Sequence, residues 1–257
     1  MPGKLFPFST ALVTGASSGI GRELARRLAR GGTRVAITAR RKAELESLAG
    51  EIAHAGGEAV ALPADLSQPA EAFRIVEQAE KELGAIDLVV ANAGVGGSAF
   101  LTELPWEDIQ QTLMVNTIGA MALIRAALPA MVRRRSGYIA GISSLASYRG
   151  LPTNSHYSSS KAALSTFLES ARVEVRNHGV AVIDIHPGYI LTPMTASHKG
   201  RMPFAMDVER ATGLILNAIV RKKAVYNFPW QMALLSRIVR LMPPLIYDRL
   251  MSSRHVR

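Results

Sequence analysis

An α/β fold, a doubly wound parallel sheet with helices on both faces, is predicted by three features of the sequence. Short apolar runs alternate with helical periodicities along most of the chain, and strands that read as uniformly apolar are those buried on both faces of a parallel sheet. A glycine-rich turn joins the first strand to the first helix, the arrangement that aims backbone N–H groups at a phosphate. The polar clusters fall one after another at the C-terminal ends of predicted strands, which is where such sheets bind ligands.

Length and composition set the frame. The chain has 257 residues, of which 48% are hydrophobic and 19% charged. That suits one large α/β domain with a substantial core, placed at about 8–228, with a tail at about 229–257. There is no cysteine, which excludes disulfide frameworks, thiolate metal sites and thiol nucleophiles. The net charge is +10; from Arg201 onward ten Lys/Arg face three acids, so +7 of it lies in the last quarter. Such an end fits a cationic surface or an anionic partner. The N-terminal segment Met1–Pro7 carries no apolar signal core. No uncharged apolar run approaches the roughly 18–20 residues that span a bilayer, and a cytoplasmic location is expected.

The first strand, Ser9–Thr14, stops at Thr14-Gly15-Ala16-Ser17-Ser18-Gly19-Ile20-Gly21. The glycines allow a tight turn and let a pyrophosphate approach the backbone. The following helix buries Ile20, Leu24 and Leu28 on one face. A second strand over Arg34–Ala39 ends in Arg40-Arg41-Lys42. An acid there would bind a free adenosine ribose, whereas a base accommodates a 2′-phosphate. Arg40 with no acid beside it points to NADP(H) over NAD(H).

A helix over Ala43–Ala55 leads to a strand at Ala59–Leu62, with Asp65 and Leu66 just beyond it. A helix at Pro69–Leu83 precedes a strand at Ile86–Ala91, which ends in Asn92-Ala93-Gly94. One long helix is expected over Trp106–Arg133, closed by three arginines suited to a helix C-terminus. A strand at Tyr138–Ile142 ends in Ser143-Ser144, and another at Val180–Ile185 ends in Pro187-Gly188. The aperiodic stretch Thr195–Met206 is expected to form a mobile loop over the site. A helix at Asp207–Arg221 and a strand at Val225–Phe228 complete the alternation.

Between these lies Tyr157-Ser158-Ser159-Ser160-Lys161, opening a long amphipathic helix. Positions i and i+4 share one helical face about 6 Å apart. An ammonium so placed stabilises a phenolate, which draws the tyrosine below its solution pKa of about 10. A carbonyl accepting a hydride needs such a proton donor, and an alcohol losing one needs the matching base. Asn116 lies in an apolar helical segment. His156 reads as a surface or capping residue. His186 and His198 lack partners at metal-ligand spacing, so no metal is expected.

Together, Thr14-Gly15-x-x-x-Gly19-Ile20-Gly21, Asn92-Ala93-Gly94, Asn116, Ser144, Tyr157-x-x-x-Lys161 and Pro187-Gly188 resemble the motifs of short-chain dehydrogenases/reductases. The resemblance spans about 8–228 and implies a Rossmann-type fold with a nicotinamide cofactor. It implies Tyr157 as acid/base, Ser144 as hydrogen-bond partner of the substrate oxygen, and Lys161 on the tyrosine and the nicotinamide ribose. Asn116 would hold a water leading from Lys161 to solvent. Ser144 is preferred to Ser143 because thirteen positions separate it from Tyr157, as is common in the family. Asp65 would meet the adenine edge, Asn92 would brace the sheet, and Thr192 would touch the carboxamide. The full set of expected cofactor contacts is Gly15, Ser17, Ser18, Gly19, Ile20, Gly21, Arg40, Asp65, Leu66, Asn92, Ala93, Gly94, Tyr157, Lys161, Pro187, Gly188, Ile190 and Thr192.

The expected substrate is a hydrophobic ketone, aldehyde or alcohol, since Ile190, Leu191, Met194, Met202, Phe204 and Met206 would supply an apolar pocket. A homodimer or homotetramer is what the family implies. A cofactor-binding protein of the same fold without turnover is the rival reading. Nucleic acid is not an expected partner, for the basic residues lack an aromatic stacking platform. The tail, Trp230–Leu250, is dense in apolar residues with Arg237 and Arg240 interleaved, and Pro243-Pro244 breaks it. Three readings stay open for it: a cover over the pocket, a subunit contact, or a basic amphipathic helix on an anionic membrane.

Overall fold

Each of the seven apolar runs becomes a strand. They are β1 (Thr10–Thr14), β2 (Arg34–Thr38), β3 (Ala59–Ala61), β4 (Leu88–Ala91), β5 (Gly137–Ile142), β6 (Val180–Pro187) and β7 (Val225–Phe228). The computed structural model describes residues 5–196 and 200–252. All seven strands are parallel, in the order β3-β2-β1-β4-β5-β6-β7. The order runs outward from β1 in both directions, so a crevice opens between β1 and β4 at their C-terminal ends.

The period-2 alternation of strand side chains divides the core in two. Ala11 and Val13 of β1 join Leu24 and Leu28 of α1 (Gly19–Arg30) and Leu45, Leu48 and Ile52 of α2 (Lys42–His54) on one face. Ile215 and Ile219 of α7 (Val208–Val220) complete that layer. On the other face Leu12 meets Ile75 of α3 (Pro69–Leu83), Leu123 of α5 (Ala120–Arg133) and Leu164 of α6 (Ser155–Glu174). Each such fully buried Leu or Ile contributes about 1.5–3 kcal/mol relative to exposure.

Three expectations change. The helix expected over Trp106–Arg133 is α4 (Trp106–Leu113) joined to α5 through a π-helical segment, Met114–Gly119. As one body of 28 residues it is long and apolar enough to cross a bilayer, its best window having a mean hydropathy of 1.5. Over half of that window is buried inside the protein, against the sheet and α3, so this is a core helix. The arginines at its end do more than complement a dipole: Arg134 donates to the carbonyl of Ile86 and Arg135 to that of Asn177, 2.9 Å away. His156 is buried, not on the surface, because α6 packs its first turn against α4; burial lowers its pKa, opposed by Asp108.

The tail folds as α8 (Trp230–Leu241) and α9 (Pro244–Ser252), separated where the proline pair interrupts the hydrogen-bond ladder.

Candidate active site

The glycine turn sits at the crevice. Thr14, the last residue of β1, accepts hydrogen bonds at Oγ1 from the N–H groups of Asn92 (2.9 Å) and Ala93 (3.0 Å), and donates to the carbonyl of Val90. Asn92 Nδ2 donates to the carbonyl of Thr14 at 2.8 Å. The ends of β1 and β4 are thereby locked together. Gly15 has φ +67°, and a Cβ there would lie 2.8 Å from Ala93 Cα. Only glycine meets both demands. Gly21 presses on the carbonyl of Gly15, with only 2.4 Å for a Cβ, so it seats α1 under the turn without lining the cleft.

The turn is left electropositive. Ser18, at the N-cap of α1, makes no capping bond, and the first turn carries no acid, so the helix N-terminal N–H groups face the cleft unneutralised. Arg41, not Arg40, reaches over the turn: its Nη2 donates to Ser17 Oγ at 2.9 Å and Ser18 Oγ at 3.1 Å. Arg40 also lines the cleft. The cleft, about 330 Å³, is walled by Gly15, Ser17, Ser18, Gly19, Ile20, Asn92 and Gly94 on one side and by Ser144, Tyr157, Lys161, Pro187, Gly188, Ile190 and Thr192 on the other. Among the described residues that line it, three are cationic and none is acidic.

Tyr157 and Lys161 project from one face of α6 into the cleft, with Lys161 Nζ 5.8 Å from the ring centroid. Lys161 Nζ donates to the carbonyl of Ile142 at 2.8 Å. Burial lowers its pKa from its ordinary 10.5 to about 8, against the opposing charge of Asp184. Burial raises the pKa of Tyr157, with a smaller opposing effect from its hydrogen bond to Ser144. This reverses the expected depression of the tyrosine. The ammonium is turned to the Ile142 carbonyl, and desolvation of the phenol dominates.

The two serines after β5 differ. Ser143 Oγ donates to the carbonyl of Lys161 at 3.1 Å and pairs with Ser165 Oγ at 2.7 Å, so it holds α6 to the sheet. Ser144 Oγ accepts from the N–H of Ala146 and reaches Tyr157. Asn116 lies in the π-helical segment, fully buried behind the cleft wall. Its side chain accepts from Val95 N–H (2.8 Å) and donates to the Val95 carbonyl (2.8 Å) and to Ser160 Oγ (3.0 Å). A Cβ on Gly94 would lie 3.3 Å from Asn116 Oδ1 and 3.5 Å from Lys161 Nζ, so the two residues border one glycine.

Asp65, Leu66 and Ala93 do not line the cleft. Asp65 Oδ1 accepts from Ser67 N–H, and Leu66 is buried against Gly119. The expected apolar wall is partial. Ile190 and Met194 line the cleft, but Met206 is pulled into the core by its bridge to Ile190. Leu191 and Phe204 are exposed. No described residue of the tail lines the cleft. His198 lies outside the described residues.

The pairing of two buried residues of β6 escaped the sequence reading, which weighed His186 only as a metal ligand. Asp184 Oδ2 accepts from His186 Nε2 at 2.8 Å, and His186 Nδ1 lies 3.0 Å from both Ser147 Oγ and the Ser144 carbonyl. The spacing D-x-H in a strand puts both on one face of the sheet, and that signal was available.

The turn, cations and hydroxyls fit an anionic dinucleotide: glycines expose the backbone, the wall has no acid, and Lys161 offers a second charge at the far end. The family model described as short chain dehydrogenase matches residues 9–202. An "uncharacterized oxidoreductase" of Myxococcus xanthus (strain DK1622) is 43% identical over 241 residues, covering 94% of this chain and 95% of its own. A fatty acyl-CoA reductase of Acinetobacter baylyi is 33% identical, covering 82% of this chain and 73% of its own. A solved putative NAD(P)-dependent gluconate 5-dehydrogenase from Beutenbergia cavernae, with NADP bound at low occupancy, has a TM-score of 0.79 at 30% identity. That alignment covers 88% of this chain and 97% of the other.

Proposed function

This chain belongs to the short-chain dehydrogenase/reductase family, and from that premise we propose that it is an NADPH-preferring reductase of hydrophobic ketones or aldehydes. The family's nicotinamide dinucleotide supplies or accepts the hydride. Every other task falls to this chain's residues.

The observation that carries the cofactor preference is the paired Arg40 and Arg41 at the ribose end of a cleft wall without an acid. A 2′-phosphate there would receive charge-assisted hydrogen bonds from guanidinium groups, with Ser17 and Ser18 beside them. The glycine turn and the α1 N-terminus would hold the pyrophosphate. Lys161 would hold the nicotinamide ribose.

Tyr157 would be the proton donor. Its raised pKa keeps the phenol protonated at neutral pH, the state needed to deliver a proton to a carbonyl oxygen gaining charge. Ser144 would donate a second hydrogen bond to that oxygen, a neutral donor placed where charge develops. The Lys161 ammonium would stabilise the phenolate left behind. Asn116 would keep the Val95 loop and α6 in register through its bonds to Val95 and Ser160. Ile190 and Met194 support a hydrophobic substrate, as does the resemblance to a fatty acyl-CoA reductase.

A test is NADPH consumption with a panel of long-chain aldehydes and bulky ketones, for the native protein and Tyr157→Phe. The variant is expected to lose about 10²–10⁴-fold in turnover while binding NADPH as tightly as the native protein. Equal turnover of the two would overturn Tyr157 as the acid. A protein that binds NADPH but reduces nothing on the panel would return the rival reading, a binding protein of this fold.

A further inference from the structure

Helix α8 carries Trp230, Leu234, Ile238 and Leu241, a spacing that places all four on one helical face. Such a stripe ordinarily faces a core. Here it faces outward: the four are exposed by 70%, 52%, 54% and 83%. Leu245 and Ile246 of α9 continue the exposure at 86% and 56%.

The orientation is fixed by contacts on the inner side. Arg149, in the loop that leads from Ser144 to α6, donates from Nη1 to the carbonyls of Val239 (3.0 Å), Arg240 (3.2 Å) and Met242 (2.6 Å). Its guanidinium lies 4.1 Å from the Tyr247 ring centroid, and Tyr247 Oη donates to the Gly150 carbonyl. Ala233 and Tyr247 are buried at that seam. The tail is therefore pinned with its apolar side outward.

Cations accompany the stripe. Arg237 and Arg249 are exposed on the two helices. The two helices hold one acid, Asp248. A second copy of this chain docked face to face would bring like charges together, whereas a surface of anionic headgroups complements them. Arginine stems can lie along apolar surface while their heads stay in the headgroup layer. At twelve residues α8 is too short to span a bilayer.

We propose that the outward face of α8 and α9 docks on an anionic lipid bilayer, lying in the interface plane with Trp230, Leu234, Ile238 and Leu241 in the acyl boundary. The docked tail is tied through Arg149 and Tyr247 to the loop that begins at Ser144, so the cleft is held beside the membrane from which an apolar substrate would come. The docking itself does not depend on the oxidoreductase reading, since lipid binding is measured without turnover.

The experiment uses the full chain carrying Trp106→Phe, which leaves Trp230 as the sole tryptophan. Binding is read by co-sedimentation and by Trp230 emission with vesicles of phosphatidylcholine alone or mixed equally with phosphatidylglycerol. The expected result is binding to the mixed vesicles with a blue shift, weakened on the order of tenfold by omitting the anionic lipid or by the pair Arg237→Glu and Arg249→Glu. The pair Leu234→Ser and Ile238→Ser abolishes binding. Unchanged thermal unfolding midpoints show that both pairs fold. Absence of binding to mixed vesicles, or binding indifferent to both pairs, overturns the proposal. So does a dimer in sedimentation equilibrium that the serine pair dissociates while vesicles bind nothing, which would assign the face to a second copy.

Discussion

Lys161 and Tyr157 share one helix face, yet burial moves their proton affinities in opposite directions, keeping the phenol neutral and loosening the ammonium. Lys161, with its pKa near 8, is a cation below that pH and neutral above it. If its charge supports the departing proton, kcat/KM for carbonyl reduction should hold below about pH 8 and fall above it, which a pH profile reads directly. Asp184 opposes the effect of burial on Lys161. In Asp184→Asn that opposing charge is gone, so the break should move to lower pH; an unmoved break would remove Asp184 from the electrostatics of the site. Tyr157 and Lys161 were legible as a pair because i, i+4 on a helix is local geometry, and Ser144 only through the resemblance, which sets its separation from the tyrosine. What depends on distant packing was not legible. Arg41 reaches Ser17 and Ser18 across 24 and 23 positions, and His156 is buried by a helix nearly 50 residues earlier.

Strands were legible as elements because apolar runs between glycine and proline punctuation leave few other readings. The helix over Trp106–Arg133 was legible only as a length. Its π-helical segment adds a residue to the turn, and no periodicity over six residues reveals that. The cause lies in tertiary contact: Asn116 is tied to Val95 and Ser160, and Gly119 abuts the Leu66 carbonyl, which a Cβ would approach to 2.2 Å. Gly119→Ala should therefore displace this segment and destabilise the protein by about 1–3 kcal/mol, measured by urea unfolding. Activity should fall more than stability, because Asn116 and Lys161 border the same glycine, Gly94. A neutral outcome would mean that the helix can shift without disturbing the site.

At the scale of the molecule, the parallel order places the ends of β1, β2, β4, β5 and β6 around one cleft, so residues from Gly15 to Thr195 meet there. That convergence was legible in outline because the glycine turn, Arg40-Arg41, Asn92-Ala93-Gly94, Ser143-Ser144 and Pro187-Gly188 all lie at strand ends. The electrostatic asymmetry of the cleft was legible only in part: the run Arg40-Arg41 was visible, but not which guanidinium turns toward the serines. The proposed reductase depends on this asymmetry. It is tested most directly by titrating NADPH and NADH, followed by nicotinamide fluorescence, into the native protein and the pair Arg40→Ala and Arg41→Ala. NADPH should bind the native protein on the order of ten- to a hundredfold more tightly, a preference worth one or two charge-assisted hydrogen bonds. The double variant should bind the two equally. Tighter binding of NADH, or a preference for NADPH untouched by losing both arginines, would contradict it.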